Sequence, residues 1–81
     1  MAKKDFYEQK TEELITPLIE ENNFELVDVE YVKEGPNYYL RIYIDKEGGI
    51  TIQDCQLTSR AIEKVLDEKD PIKDPYVLEV S

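Results

Sequence analysis

Asp28 and Glu30 stand two residues apart in the run Leu26-Val27-Asp28-Val29-Glu30-Tyr31-Val32-Lys33. In an extended chain both carboxylates project from one face, about 7 Å apart. Two carboxylates at that separation can share a proton or bracket a cation. A metal needs a third ligand at a defined spacing, and none stands nearby. A solvated sheet face, partly paired with Arg41, accounts for the two acids more simply. The oxygen-rich stretches Asp45-Lys46-Glu47-Gly48-Gly49 and Asp67-Glu68-Lys69-Asp70 lack calcium-loop spacing and read as a turn and a helix end. Gly48-Gly49 has neither Walker-type nor GxGxxG spacing, so it cradles no phosphate. There is no histidine, the commonest general acid–base group. Cys55, the one cysteine, falls on an apolar helical stripe with no histidine to activate it, and reads as a packing residue. No catalytic residue, metal ligand or cofactor is expected.

Binding chemistry is better represented. Tyr39, Arg41 and Tyr43 alternate along a second extended run, on its polar side. Framed by Leu26, Val32 and Val77, this stripe is semi-apolar, as protein interfaces are. Ordinary cross-strand aromatic packing on an uncovered sheet explains it equally well. Asp28, Glu30 and Arg41 share that face, and so does Glu79 of the last strand. Asp28, Glu30, Tyr39, Arg41, Tyr43 and Glu79 are therefore the candidate partner-binding residues.

Charge narrows the partner. Nineteen acidic and ten basic residues give a net charge of −9. Phosphate-binding surfaces need clustered Lys and Arg, and the only adjacent basic pair is Lys3-Lys4, so strong direct nucleic-acid binding is not expected. An acidic surface speeds encounter with basic partners. Solubility alone is the plainer reason for the same charge. A single cysteine makes no internal disulfide, which fits a reducing compartment. The start, Met1-Ala2-Lys3-Lys4-Asp5, has no apolar stretch behind it, so no secretory signal is expected. No run approaches the length of a membrane span. A cytoplasmic monomer is the expectation.

The elements that position these residues follow from periodicity. Eighty-one residues allow one small domain with a thin core. Phe6 to Asn22 reads as a helix, with Leu14/Leu18 and Ile15/Ile19 four apart and Phe6 or Tyr7 and Thr11 on the preceding turns. Pro17 predicts a kink rather than a break, because the stripe stays in phase across it. Phe24 to Lys33 and Tyr38 to Asp45 read as strands joined by Glu34-Gly35-Pro36-Asn37. In the first, Val27, Val29 and Tyr31 face the core, and Leu26, Asp28, Glu30 and Val32 face away. In the second, Tyr38, Leu40, Ile42 and Ile44 face the core. Matching the faces requires opposed residue numbers to sum to an odd value; with Glu34 opposite Asn37, or with a four-residue loop that sets Lys33 opposite Tyr38, Glu30 falls opposite Arg41 and Val29 opposite Ile42. A Glu30–Arg41 ion pair is expected there.

Thr51 is a natural N-cap, and Asp54 completes a capping box for a helix carrying Cys55, Ser59, Ile62, Val65 and Leu66 on one stripe. Asp67 to Asp70 ends it before Pro71. Tyr76 to Ser81 is a third strand, placed parallel to the second by the helical crossover. The order α-β-β-α-β predicts a two-layer α/β sandwich, a three-stranded mixed sheet with both helices on one face.

One resemblance adds to this. Phe24 to Tyr31, Leu40 to Ile50, Asp54-Cys55, Ser59-Arg60, Val65-Leu66-Asp67, Asp70-Pro71-Ile72 and Tyr76 to Ser81 occur in the order and spacing of one family. Over nearly its whole length the chain resembles the N-terminal domain of the bacterial ribosome maturation factor RimP. The resemblance implies the same α-β-β-α-β plan and a non-enzymatic role in maturing the small ribosomal subunit. It also implies binding to one of that subunit's basic proteins, number twelve. Family members continue past the last strand into a small β-barrel domain absent from residues 1–81, so the chain is expected to be a fragment. Two other readings compete. A KH-like RNA-binding module shares one arrangement of these elements but needs a GXXG loop, which is missing. A small-molecule regulatory domain needs a pocket between helices and sheet.

Overall fold

The computed structural model describes residues 3–81; Met1 and Ala2, at the head of the charged start, lie outside them. The order is α1 (Lys3–Glu21), β1 (Glu25–Glu34), β2 (Asn37–Asp45), α2 (Ile52–Lys69) and β3 (Val77–Val80). The sheet runs β1-β2-β3, with β1 antiparallel and β3 parallel to β2. This is the α/β sandwich expected from the pattern.

Helix α1 begins earlier than its apolar pattern and passes through Pro17 without a break. Proline has no N–H for the Glu13 carbonyl. One residue earlier, the Thr16 hydroxyl donates to the Glu12 carbonyl at 2.6 Å. The buried stripe is Tyr7, Thr11, Ile15 and Ile19, a strict four-residue spacing. The helix closes on a left-handed Asn23 (φ 62). The Phe24 N–H donates to Ile19 and the Asn23 N–H to Glu20, both at 3.0 Å, which is a Schellman closure with asparagine in the usual glycine place.

The hairpin has the predicted register: Glu34 faces Asn37, Glu30 faces Arg41, and Val29 faces Ile42. Gly35, at φ +61 and followed by a proline, makes the tight reversal that L side chains resist. One expectation fails at the far end of the hairpin. A bulge between Leu26 and Asp28 inserts an extra residue in β1. Leu26 therefore packs against the core opposite Ile44, while Val27 is 60% exposed. Both side chains thus lie on the faces opposite to those that simple alternation predicts.

The glycine pair, at φ +88 and +93, ends β2 and turns the chain into α2. Thr51 caps that helix as predicted. The Asp54 N–H donates to the Thr51 hydroxyl at 3.1 Å, and the Thr51 N–H to the Asp54 carboxylate at 3.0 Å. Its buried positions are Thr58, Ile62 and Leu66; Cys55, Ser59 and Val65 flank this line half-buried. A left-handed Asp70 and then Pro71 end it.

Helix α1 packs over β1, α2 over β3, and the helices touch each other. Between them and the sheet lies one core, with Ile15, Ile19, Leu40, Ile42 and Ile62 at zero exposure. No described helix covers the other face of the sheet. Among the described residues, no helix is long and apolar enough to cross a membrane.

Candidate functional site

Alternation in β2 sends Leu40, Ile42 and Ile44 into the core and leaves Tyr39, Arg41 and Tyr43 half-buried on the outer face. The parallel neighbour adds Val77 and Glu79 beside Tyr39 and Arg41. Arg41 is the hub. Its Nε donates to the Glu79 carboxylate at 2.7 Å, and its other arm donates to Glu34. Its guanidinium carbon stands 5.2 Å from the centre of the Tyr39 ring. Hydrogen bonds to Glu79 and then Glu34 hold the guanidinium protonated even more firmly than usual. A planar fork gripped by two carboxylates and laid on a ring is fixed in direction.

The expected Glu30–Arg41 pair does not form. Glu30 is opposite Arg41 in register, yet the guanidinium reaches to the turn and across to β3 instead. Two partners on two different strands bind the fork better than one directly opposite. Glu30 is half-buried and, among the described ion pairs, has no partner. Asp28 lies on the same face opposite Tyr43, but its carboxylate accepts the Val29 N–H at 2.9 Å. The bulge thus turns one predicted binding acid toward its own backbone.

Of the six predicted residues, Tyr39, Arg41 and Glu79 touch or pair. Tyr43 and Glu30 share their face, and Asp28 sits at its bulged margin. Sequence reasoning missed Glu34, which it placed in the turn alone; its place at the hairpin end, four strand positions along β1 from Glu30, the residue opposite Arg41, was the available signal. Leu26 does not frame the stripe, because the bulge sends it inward.

A second polar junction ties the sheet to α2. Lys46 Nζ stands 2.6 Å from the Asp54 carboxylate and 5.6 Å from the Phe24 ring. The Lys46 ammonium, with the Thr51 backbone N–H, holds the Asp54 carboxyl below its ordinary value. This junction is structural: it locks the capping box to the end of β2.

Among the described residues, no group of three or more His, Cys, Asp or Glu side chains is placed to hold a metal ion. The molecule is thus a small α/β sandwich whose distinctive chemistry is an ordered, carboxylate-bound arginine on a helix-free sheet face. Sequence comparison places it further. Residues 14–81 match the model of the RimP N-terminal domain, and the chain belongs to that family, one of ribosome maturation factors.

Proposed function

We propose that this domain serves maturation of the small ribosomal subunit by binding one of its basic proteins through the outer face of the sheet, with no chemistry of its own. Asp28, Glu30, Tyr39, Arg41, Tyr43 and Glu79 form the contact surface. It works in the cytoplasm, as a monomer. The observation that carries this reading is the pairing of a net charge of −9 with a sheet face that no described helix covers.

An acidic molecule steers a cationic partner in, and the fixed Tyr39–Arg41–Glu79 cluster gives it a preorganised place to land. The same charge repels phosphate, which disfavours the KH-like reading. Purified small-subunit proteins passed over the immobilised chain at rising salt test the proposal. Retention of basic proteins at low salt, lost as salt screens the surface, is the expected result. No retention, or retention indifferent to salt, contradicts it, and so does a mobility shift with small-subunit RNA at the same salt. Glu30→Lys removes an unpaired acid from the face and weakens retention without changing the fold.

A further inference from the structure

The sheet has two edges, and among the described residues only the β1 edge is covered. On β1, the Val29 N–H donates to Asp28 and the Tyr31 N–H to Glu8 of α1, at 2.9 and 2.7 Å. Side-chain carboxylates thus occupy the donors that another strand would need. Among the described residues, strand β3 has no such cover. Ser81 donates to the Ile42 carbonyl and accepts from the Ile44 N–H, so Ser81 turns both backbone groups toward β2. In a parallel ladder this alternates: Val77 and Glu79 also face β2, and Leu78 and Val80 turn their N–H and C=O outward. No described strand pairs with that side.

Beside this open edge lies a cleft of about 570 Å³ between the C-terminal half of α2 and β3. None of its lining comes from α1, β1 or β2. Leu66 and Ile72 floor it, and four carboxylates line it against one lysine. Asp70 pairs with Lys73, and Asp74 with Lys3. Glu63 and Asp67 are exposed, four apart on one helix face, and in none of the described ion pairs. Like charges at that spacing repel. Burial, then Asp67, Asp70 and Glu63, push the Tyr76 hydroxyl above its ordinary value, as a negative field does.

We propose that the β3 edge receives an added strand from a basic partner: an extended segment pairs with the Leu78 and Val80 backbone and sets alternate Lys or Arg side chains over Glu63 and Asp67. Backbone pairing supplies the grip and the acidic cleft selects the side chains. A second copy of this chain fits poorly, because it brings the same negative cleft to the same edge. The inference rests on the reading that the partner is basic, and adds to the outer-face contact a second one at the sheet edge, with the conformation of the segment that binds there.

Amide hydrogen exchange on the 81-residue chain tests it, with a synthetic peptide alternating lysine and valine and a backbone N-methylated analogue of equal charge. At saturation the plain peptide slows exchange at Leu78 and Val80 by at least about tenfold and leaves Glu79, already paired, unchanged. The N-methylated analogue binds at least about tenfold more weakly. The double variant Glu63→Gln, Asp67→Asn weakens the plain peptide while its thermal unfolding stays that of the parent. Equal binding of the two peptides overturns the inference, as does protection confined to β1 or the outer face. Edge-to-edge pairing of two chains that the peptide does not displace overturns it as well. If a basic ribosomal protein is retained but Leu78 and Val80 exchange as before, the edge inference alone falls; if nothing basic is retained, the parent reading falls too.

Discussion

Ile42 and Arg41 are adjacent in β2 and live in different solvents. Ile42 has no exposed surface, and its neighbours in the core are the side chains of two helices and three strands. Arg41 lies on the opposite face with its charge held by glutamates from the turn and from β3. The helix-covered face obtains its stability from area removed from water, which is non-directional. The open face obtains order from hydrogen bonds and ion pairs, which add little stability at a surface but fix where groups point. The lesson is a division of labour across one strand's thickness: one side folds the domain, and the other is free to be specific.

The sharpest way to break that division is at the bulge. Val29→Lys places a charge in the core and leaves the chain unfolded by circular dichroism at room temperature. Val27→Lys, two residues away, shifts the urea midpoint by no more than about 0.5 kcal/mol equivalent. Comparable losses from the two variants would mean that the bulge is misplaced. On β2 the same contrast is smaller. Ile42→Ala costs about 2–5 kcal/mol in urea unfolding, and Tyr43→Ala about 1 kcal/mol or less.

A gain is expected inside the core. Among the described residues, the buried Thr11 hydroxyl has no hydrogen-bond partner. Thr11→Val keeps the shape, removes the orphaned group and raises stability by about 1 kcal/mol. A loss there would show that the hydroxyl is satisfied.

The smallest effect lies at the Lys46–Asp54 junction and depends on pH. The folded state holds the Asp54 carboxyl low, so it favours the ionised form. That contribution is fully present above about pH 4 and is lost as pH falls below it. Asp54→Asn lowers stability at neutral pH and flattens the acid limb of the stability profile. An unchanged acid limb would assign the sensitivity to other carboxylates.

Much of this was legible from residue order. Strict alternation in β2 gave its faces, and face matching together with the place of the turn gave the hairpin register from Glu34/Asn37 to Val29/Ile42. Thr51 and Asp54 announced their capping box. The bulge was not legible, because Val27 and Leu26 are both apolar and no glycine marks the extra residue. Alternation carried past the extra residue therefore puts both Val27 and Leu26 on the wrong face. Arg41's partners were hidden for another reason: a long side chain chooses among every carboxylate within reach, and only the fold brings Glu79 of a distant strand alongside. Glu8 closing the β1 edge was invisible likewise, since its target is a backbone N–H. Phe6 and Tyr7 were equivalent by pattern; the tyrosine is buried, edge-on to Tyr31 at 5.2 Å, and Phe6 is half exposed.

The central claim is that the uncovered side of the sheet, with its negative surroundings, is where a cationic protein lands. Amide chemical-shift mapping of the labelled chain, titrated with a purified basic protein of the small subunit, tests it most directly. The account predicts shifts at Tyr39, Arg41, Tyr43 and Glu79 that fade as salt is raised. Shifts gathered instead on the exposed side of α1, around Phe6 and Glu13, with the sheet silent, would contradict it.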